Sequence, residues 1–432
     1  MPSAPSTPAI VDDAVAALDL PSVGLLLAEL IAVPSVTGST GESRAQHLLA
    51  EWYADAGLVV DKWPIDLAAV TARPDFPGLE VDRSEAWGLV GTWAGPSGGP
   101  RTGPTLVLNA HVDVVPPGDL QQWTTDPFRP RVDAGADGQE SLYGRGAVDM
   151  KAGLVAALVA VRAVRAAGVP LRGQVQLQSV VGEEDGGLGT FATLLRGHTG
   201  DLAVIPEPTA GAVVCANAGA LTFRLTVHGQ ATHASVRKEG VSAVDKLWPI
   251  WTALHGLERR RNAGLHPLMA HLDPAYALSI GTVRAGDWPS SVPDRLVAEG
   301  RLGVALGEDV AAARQELVEE VAAACAGDAW LSEHPAEVEF FGGQFASGQV
   351  EPDAPLVHLV AEAHRQTAGA APAVHGAPWG SDLRLFTAAG VPAVHYGPGA
   401  TKQAHAPDEH VPLAQVRQTA QALVRLIVAA CG

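Results

Sequence analysis

The 432-residue sequence predicts an α/β protein with a mostly parallel sheet, interrupted by an inserted ferredoxin-like β-α-β-β-α-β unit. Three observations carry this reading. Short apolar runs alternate with helical patterns in the first half of the chain. Near residue 217 the pattern changes to strict alternation: Leu221, Phe223, Leu225 and Val227 share one face, and Thr222, Arg224, Thr226 and His228 the other. After Phe341 the first style resumes. Residues 1–216 and 342–432 are therefore expected to form one domain in two segments, with 217–341 as a second domain inserted between them.

The elements follow in order. Residues 22–32 and 41–56 read as amphipathic helices, separated by Pro34 and Gly38. Thr105–Ala110 is an apolar strand ending at His111. Lys151–Ala167 is a helix with a broad apolar face, and Gln174–Val181 and Leu202–Ile205 are strands. In the inserted unit, Ala220–His228 reads as a half-exposed strand, followed by a helix over 240–260. Strands Tyr276–Val283 and Leu296–Ala305, a helix over 308–326 and a last strand Ala336–Phe341 complete it. Helices near 353–367 and 412–430 and a strand Ala393–Tyr396 close the chain.

Composition narrows the function classes. Apolar residues make up 47% and charged residues 18%, enough for a sizeable core, which excludes a disordered chain. Asp and Glu number 47 against 29 Lys and Arg, a formal charge of −18 that argues against a nucleic-acid partner. Cys215, Cys325 and Cys431 are too few and too scattered for a disulfide framework or a thiolate metal site. The N-terminus carries Asp12 and Asp13 in place of a basic leader region. The most apolar stretch, Gly153–Gly168, is short and broken by Arg162 and Arg165. A cytoplasmic protein with no membrane partner is the expectation.

The chemistry gathers at predicted strand ends. His111 and Asp113, two apart in an extended segment, share a face. Asp149 lies between a Gly-rich loop and a helix start, Glu183 and Glu184 follow one strand, Glu207 follows another, and His405 lies in a Gly/Pro-rich loop after a third. Each is read just past the carboxyl end of a strand, where open α/β sheets build ligand sites. His111, Asp149, Glu184, Glu207 and His405 suit a pair of divalent ions such as zinc. Asp113 is placed to accept the second N–H of His111, and Glu183 to take a proton from a metal-bound water. Singly, each residue also reads as a strand end, an acidic turn or a surface histidine; the combination is what points to metal.

The segments carrying these residues are Leu108-Asn-Ala-His111-Val-Asp113-Val-Val-Pro116, Gly144-Arg-Gly-Ala-Val-Asp149-Met-Lys-Ala-Gly153, Gly182-Glu-Glu-Asp-Gly-Gly187, Glu207-Pro-Thr209, Gly229-Gln-Ala-Thr-His233-Ala-Ser235 and Tyr396-Gly-Pro-Gly399 with His405. In kind and order they resemble the M20 family of dinuclear zinc amidohydrolases. The resemblance implies a zinc-exopeptidase-like catalytic domain with an inserted lid and dimerisation domain. It implies that Asp149 bridges two metals, most simply zinc, with cobalt or manganese as alternatives. His111 and Glu207 would complete one metal site, and Glu184 and His405 the other. Asp113 would orient His111, and Glu183 would be general base and then acid. His233 would stabilise the oxyanion, from within the chain or across a homodimer; by itself it also reads as a polar turn histidine.

The sequence departs from the family in the lid. Trp288-Pro-Ser-Ser-Val-Pro293 has Ser290 where many relatives carry Asn, a form that resembles a deacylase-like branch of the acetylornithine deacetylase group. Arg301 reads either as a carboxylate clamp or as a strand-face charge. Arg384, in Gly380-Ser-Asp-Leu-Arg384, is a second carboxylate candidate. The function expected is hydrolysis of the amide of an N-acyl amino acid or related small N-acyl amine. The alternatives are a dipeptidase or carboxypeptidase of the same family acting on short peptides, and, remotely, a non-catalytic metal-binding homologue.

Overall fold

A computed structural model describes residues 7–95, 102–134 and 138–432. Two compact units emerge. The first comprises the chain up to Cys215, Gln349–His375 and Leu385–Gly432; the second comprises Ala216–Gly348 and Gly376–Arg384. The second unit thus reaches past the expected boundary at 341. Its last strand, Glu337–Phe345, continues through a register shift between Phe340 and Gln344, so residue 341 lies inside it. Gly376–Arg384 joins the same unit, with Gly380 set against the Phe345 ring and Ala218 donating its N–H to Ala377 O at 2.9 Å.

The first unit is built on a mixed sheet whose centre is parallel. Seven of the sheet's nine strands run in the spatial order Val59–Pro64, Trp87–Trp93, Gln174–Val180, Thr105–His111, Leu202–Ile205, Ala393–His395 and Val213–Asn217. Thr105–His111 pairs in parallel with both neighbours, whereas Trp87–Trp93 pairs antiparallel on each side. Every residue of Thr105–His111 and Gln174–Val180 is buried, as expected where helices cover both sheet faces. The helix Ala152–Ala166 is buried on almost all sides and packs against Leu413–Cys431. A separate small antiparallel sheet joins Arg131–Ala134, Glu140–Tyr143 and His410–Pro412.

The second unit has four antiparallel strands in the order Leu278–Ala285, Arg295–Val304, Gly219–His228 and Glu337–Phe345. The helices Ala243–Arg261 and Val310–Ala326 supply Leu247, Ile250, Leu254, Ala313, Leu317 and Val321 to a core shared with Leu221, Phe223, Leu225 and Val227. This is the predicted ferredoxin-like topology. The polar face of Gly219–His228 is less exposed than its alternation suggests, because it is a central strand. Arg224 lies over the Phe341 ring at 4.3 Å and pairs with Glu299 and Glu339 on the flanking strands at 2.8 and 3.0 Å. No single helix among the described residues is long and apolar enough to cross a membrane.

Candidate metal centre

Three adjacent parallel strands deliver the first residues. His111 is the last residue of Thr105–His111. Glu183 and Glu184 follow Gln174–Val180, and Glu207 follows Leu202–Ile205. Asp149 arrives differently from the expectation. The strand before it, Glu140–Tyr143, belongs to the small sheet, and Asp149 sits in the turn between that sheet and the helix Ala152–Ala166. His405 comes from the loop after Ala393–His395, with a left-handed backbone at φ 59°.

The side chains converge in pairs. His111 Nε2 lies 3.2 Å from Asp149 Oδ1 and 3.7 Å from Glu207 Oε1. His405 Nε2 lies 3.5 Å from Asp149 Oδ2 and 3.2 Å from Glu184 Oε2. Asp149 therefore turns one oxygen toward each imidazole. Donor atoms of His111, Asp149 and Glu184 lie within 4.8 Å of one another, as do those of His111, Glu183 and Glu207.

The electrostatics call for positive charge. Burial opposes ionisation of Asp149, but hydrogen bonds with His111 and His405 hold its carboxyl below the usual range. Burial, then the nearby Asp149 charge, pushes Glu184 up. Hydrogen bonds to Asp149 and Glu184 push His405 up to about 11. Burial disfavours a charged His111, yet Asp149 and Glu207 raise it well above its ordinary value. Glu184 Oε1 is buried with no hydrogen-bond partner among the described residues. Two imidazoles, several carboxylates and an unsatisfied buried oxygen form a donor set that divalent metals satisfy.

Asp113 touches His111 otherwise than the spacing suggests. Its backbone oxygen, not its carboxylate, is the near partner of His111 Nδ1, at 2.9 Å; the carboxylate stands at 3.7 Å. That carboxylate accepts the backbone N–H of Glu183 and of Glu184, each at 3.2 Å, and the Thr37 hydroxyl at 3.2 Å. Side chains and backbone alike are thus used to align neighbouring loops.

Two buried networks have no motif in the sequence to mark them. Arg83 lies between Glu42 and Asp185, at 3.2 and 2.8 Å, and Glu42 also accepts the N–H of Gly182 at 3.1 Å. Burial and the Asp113 charge push Glu42 up to about 8, against the pull of Arg83. Behind Asp149, Glu409 pairs with Arg145 at 2.7 Å. Glu409 stands four residues past His405.

The remaining candidates belong to the second unit. His233 is exposed and starts a short turn; the Ser235 N–H donates to its Nδ1 at 3.2 Å, so the neutral ring carries its proton on Nε2. Ser290 is exposed, and its carbonyl accepts the Ala234 N–H at 2.9 Å. Arg301 is half-buried on the sheet face opposite the helices, its guanidinium 5.9 Å from the centre of the Phe345 ring. Arg384 is buried, 4.0 Å from the same ring and donating to Ser381 O at 2.6 Å. Phe345 thus brings the two arginines together.

A family model described as Peptidase family M20/M25/M40 matches residues 107–429. The chain is 26% identical over 434 residues to N-formyl-4-amino-5-aminomethyl-2-methylpyrimidine deformylase of Halalkalibacterium halodurans, covering 94% of this chain and 93% of that protein. It is 29% identical to succinyl-diaminopimelate desuccinylase of Paracoccus denitrificans, over 84% of this chain and 91% of that one. A crystal structure of a tripeptidase from Staphylococcus aureus superposes with TM-score 0.73 at 22% identity, over 96% of this chain and 99% of that chain, a likeness of fold.

Proposed function

This chain belongs to peptidase family M20/M25/M40, and from that premise we propose that it is a metal-dependent hydrolase that removes the acyl group from a small N-acyl amine or N-acyl amino acid. The observation that carries the reading is Asp149, whose two oxygens face His111 and His405 separately. Both relatives reported above are named for removal of an acyl group, which favours this reaction over peptide cleavage.

Asp149 would be the ligand shared by two ions, with His111 and Glu207 holding one and Glu184 and His405 the other; zinc would suit this mixed nitrogen and oxygen set. Two such ions would supply Lewis acidity toward an amide carbonyl and toward water. Glu183 acts as general base and acid. It takes a proton from the attacking water, whose oxygen forms the new C–O bond, and delivers it to the leaving nitrogen as the C–N bond breaks. Asp113 holds Glu183 through its peptide N–H. His233 presents an Nε2–H donor suited to a developing oxyanion.

Arg301, Arg384 and Ser290 are assigned to the substrate's polar end, the two guanidiniums matching a carboxylate. The first unit is then catalytic, and the second a lid through which the chain forms a homodimer. In support, Leu278–Ala285 is an edge strand exposed over most of its length, and Trp248, on the helix Ala243–Arg261 of the same unit, is 71% exposed. A cytoplasmic enzyme accords with three buried free cysteines.

The test is a substrate panel of N-formyl, N-acetyl and N-succinyl amines and amino acids against dipeptides and tripeptides. Turnover of one N-acyl class at the highest kcat/KM is expected. Cleavage of peptides alone would move the chain to the peptidase branch.

A further inference from the structure

We propose that Glu409 is the positioning residue that sets Asp149 between the two metal positions, acting through the backbone of the turn that carries it. This rests on reading Asp149 as the bridging ligand.

The Gly146–Asp149 segment needs an external support. Asp149 and Met150 have φ/ψ of −120°/98° and −126°/29°, outside the helical region, so no regular ladder fixes the Asp149 backbone. Its N–H groups converge on one buried carboxylate. Glu409 Oε2 accepts from Gly146 N at 3.0 Å and from Arg145 Nη1 at 2.7 Å. Glu409 Oε1 accepts from Val148 N at 2.9 Å and from Asp149 N itself at 3.1 Å. The peptide oxygen of Glu409 accepts Gly144 N at 2.9 Å, and the next residues, His410–Pro412, pair with Ser141–Tyr143. Glu409 is 1% exposed. A carboxylate offers about four acceptor directions, and these four donors occupy them. If Glu409 served only to neutralise Arg145, the three backbone N–H groups would not need to face it. The residue also lies four positions past His405, so it ties the loop of one ligand to the turn of the bridge.

Glutamine at 409 keeps one acceptor oxygen and points an NH2 group at the other pair of donors. The probe is cobalt(II) added to metal-free protein, read by calorimetry and by electron paramagnetic resonance. Wild type is expected to take two ions per chain with spin coupling between them through the bridging carboxylate. Glu409→Gln should bind the second ion about 10- to 100-fold more weakly and lose the coupling. Glu409→Asp, which keeps the carboxylate, should restore part of both. Val424→Ala, in the buried face of Leu413–Cys431, serves as a destabilised control that keeps the coupling.

Coupling and affinity unchanged in Glu409→Gln would overturn the proposal, as would loss of coupling in Val424→Ala to the same degree. Failure of both Glu409 variants to fold would overturn it too, making the residue a requirement of the fold. An uncoupled or single ion in wild type would instead overturn the bridging role of Asp149 itself.

Discussion

The backbone oxygen of Asp113 lies 2.9 Å from His111 Nδ1, closer than its own carboxylate at 3.7 Å. The peptide oxygen can only accept, so the neutral ring donates Nδ1–H to it and turns the Nε2 lone pair toward Asp149 and Glu207. The carboxylate is left to hold the Glu183 and Glu184 peptides. Asp113→Ala should therefore keep the imidazole tautomer and both metals, while lowering kcat about 10- to 100-fold by loosening Glu183. Stability should fall by about 1–3 kcal/mol as buried donors lose their acceptor. Metal analysis alongside steady-state kinetics checks this; loss of a metal in step with activity would contradict it.

Glu183→Gln should bind metal as wild type does and lose turnover by at least about 10²-fold, the usual scale for a general base. Single-turnover rates on the best N-acyl substrate decide it. A variant with unchanged rate would remove Glu183 from the chemistry.

Metal uptake should release protons. Asp149 and Glu184 hold His405 at about 11 in the metal-free protein, so its ring is protonated at neutral pH and must lose that proton to coordinate. Apparent affinity should thus rise with pH, by about tenfold per unit for each proton displaced, and level off only near the metal-free pKa. Calorimetry in buffers of different ionisation enthalpy measures the protons directly. Uptake with no proton release would contradict the assignment of His405 as a ligand.

If His233 serves the partner subunit, mixing two dead variants should revive activity. A hybrid of Glu183→Ala and His233→Ala chains has one doubly damaged site and one intact site. After subunit exchange in equal parts, about half the dimers are hybrids, and about a quarter of wild-type activity should return. No recovery, with hybrids present by mass spectrometry, would place His233 in its own subunit's site.

Much of the site is readable in the sequence because His111 and Glu207 follow short apolar runs, the mark of strands buried on both faces, and Glu183 and Glu184 follow the strand pattern of Gln174–Val180. Other features had no such signal. The strand Trp87–Trp93 carries Gly88 and Gly91, residues that weaken a strand pattern. In the fold Gly88 lies under Trp63, where a Cβ would come within 2.1 Å of the ring. Spacing puts His111 and Asp113 on one face but does not say which oxygen of Asp113 meets the ring. Glu409 was silent because most of its partners are peptide N–H groups, which carry no residue identity. Lys151 begins the predicted helix Lys151–Ala167, and nothing in that pattern shows that it is fully buried, donating to Leu30 O and Val33 O at 3.0 Å each, with burial pushing it down to about 7.

Stepwise metal restoration separates a two-metal amide hydrolase from a one-metal or metal-free one: strip the protein with chelator, then add zinc in sub-stoichiometric steps while assaying an N-acyl substrate and counting bound ions. The stripped protein should be inactive, and activity should reach its plateau at two ions per chain. Full activity after stripping, or a plateau at one ion, would contradict the two-metal site.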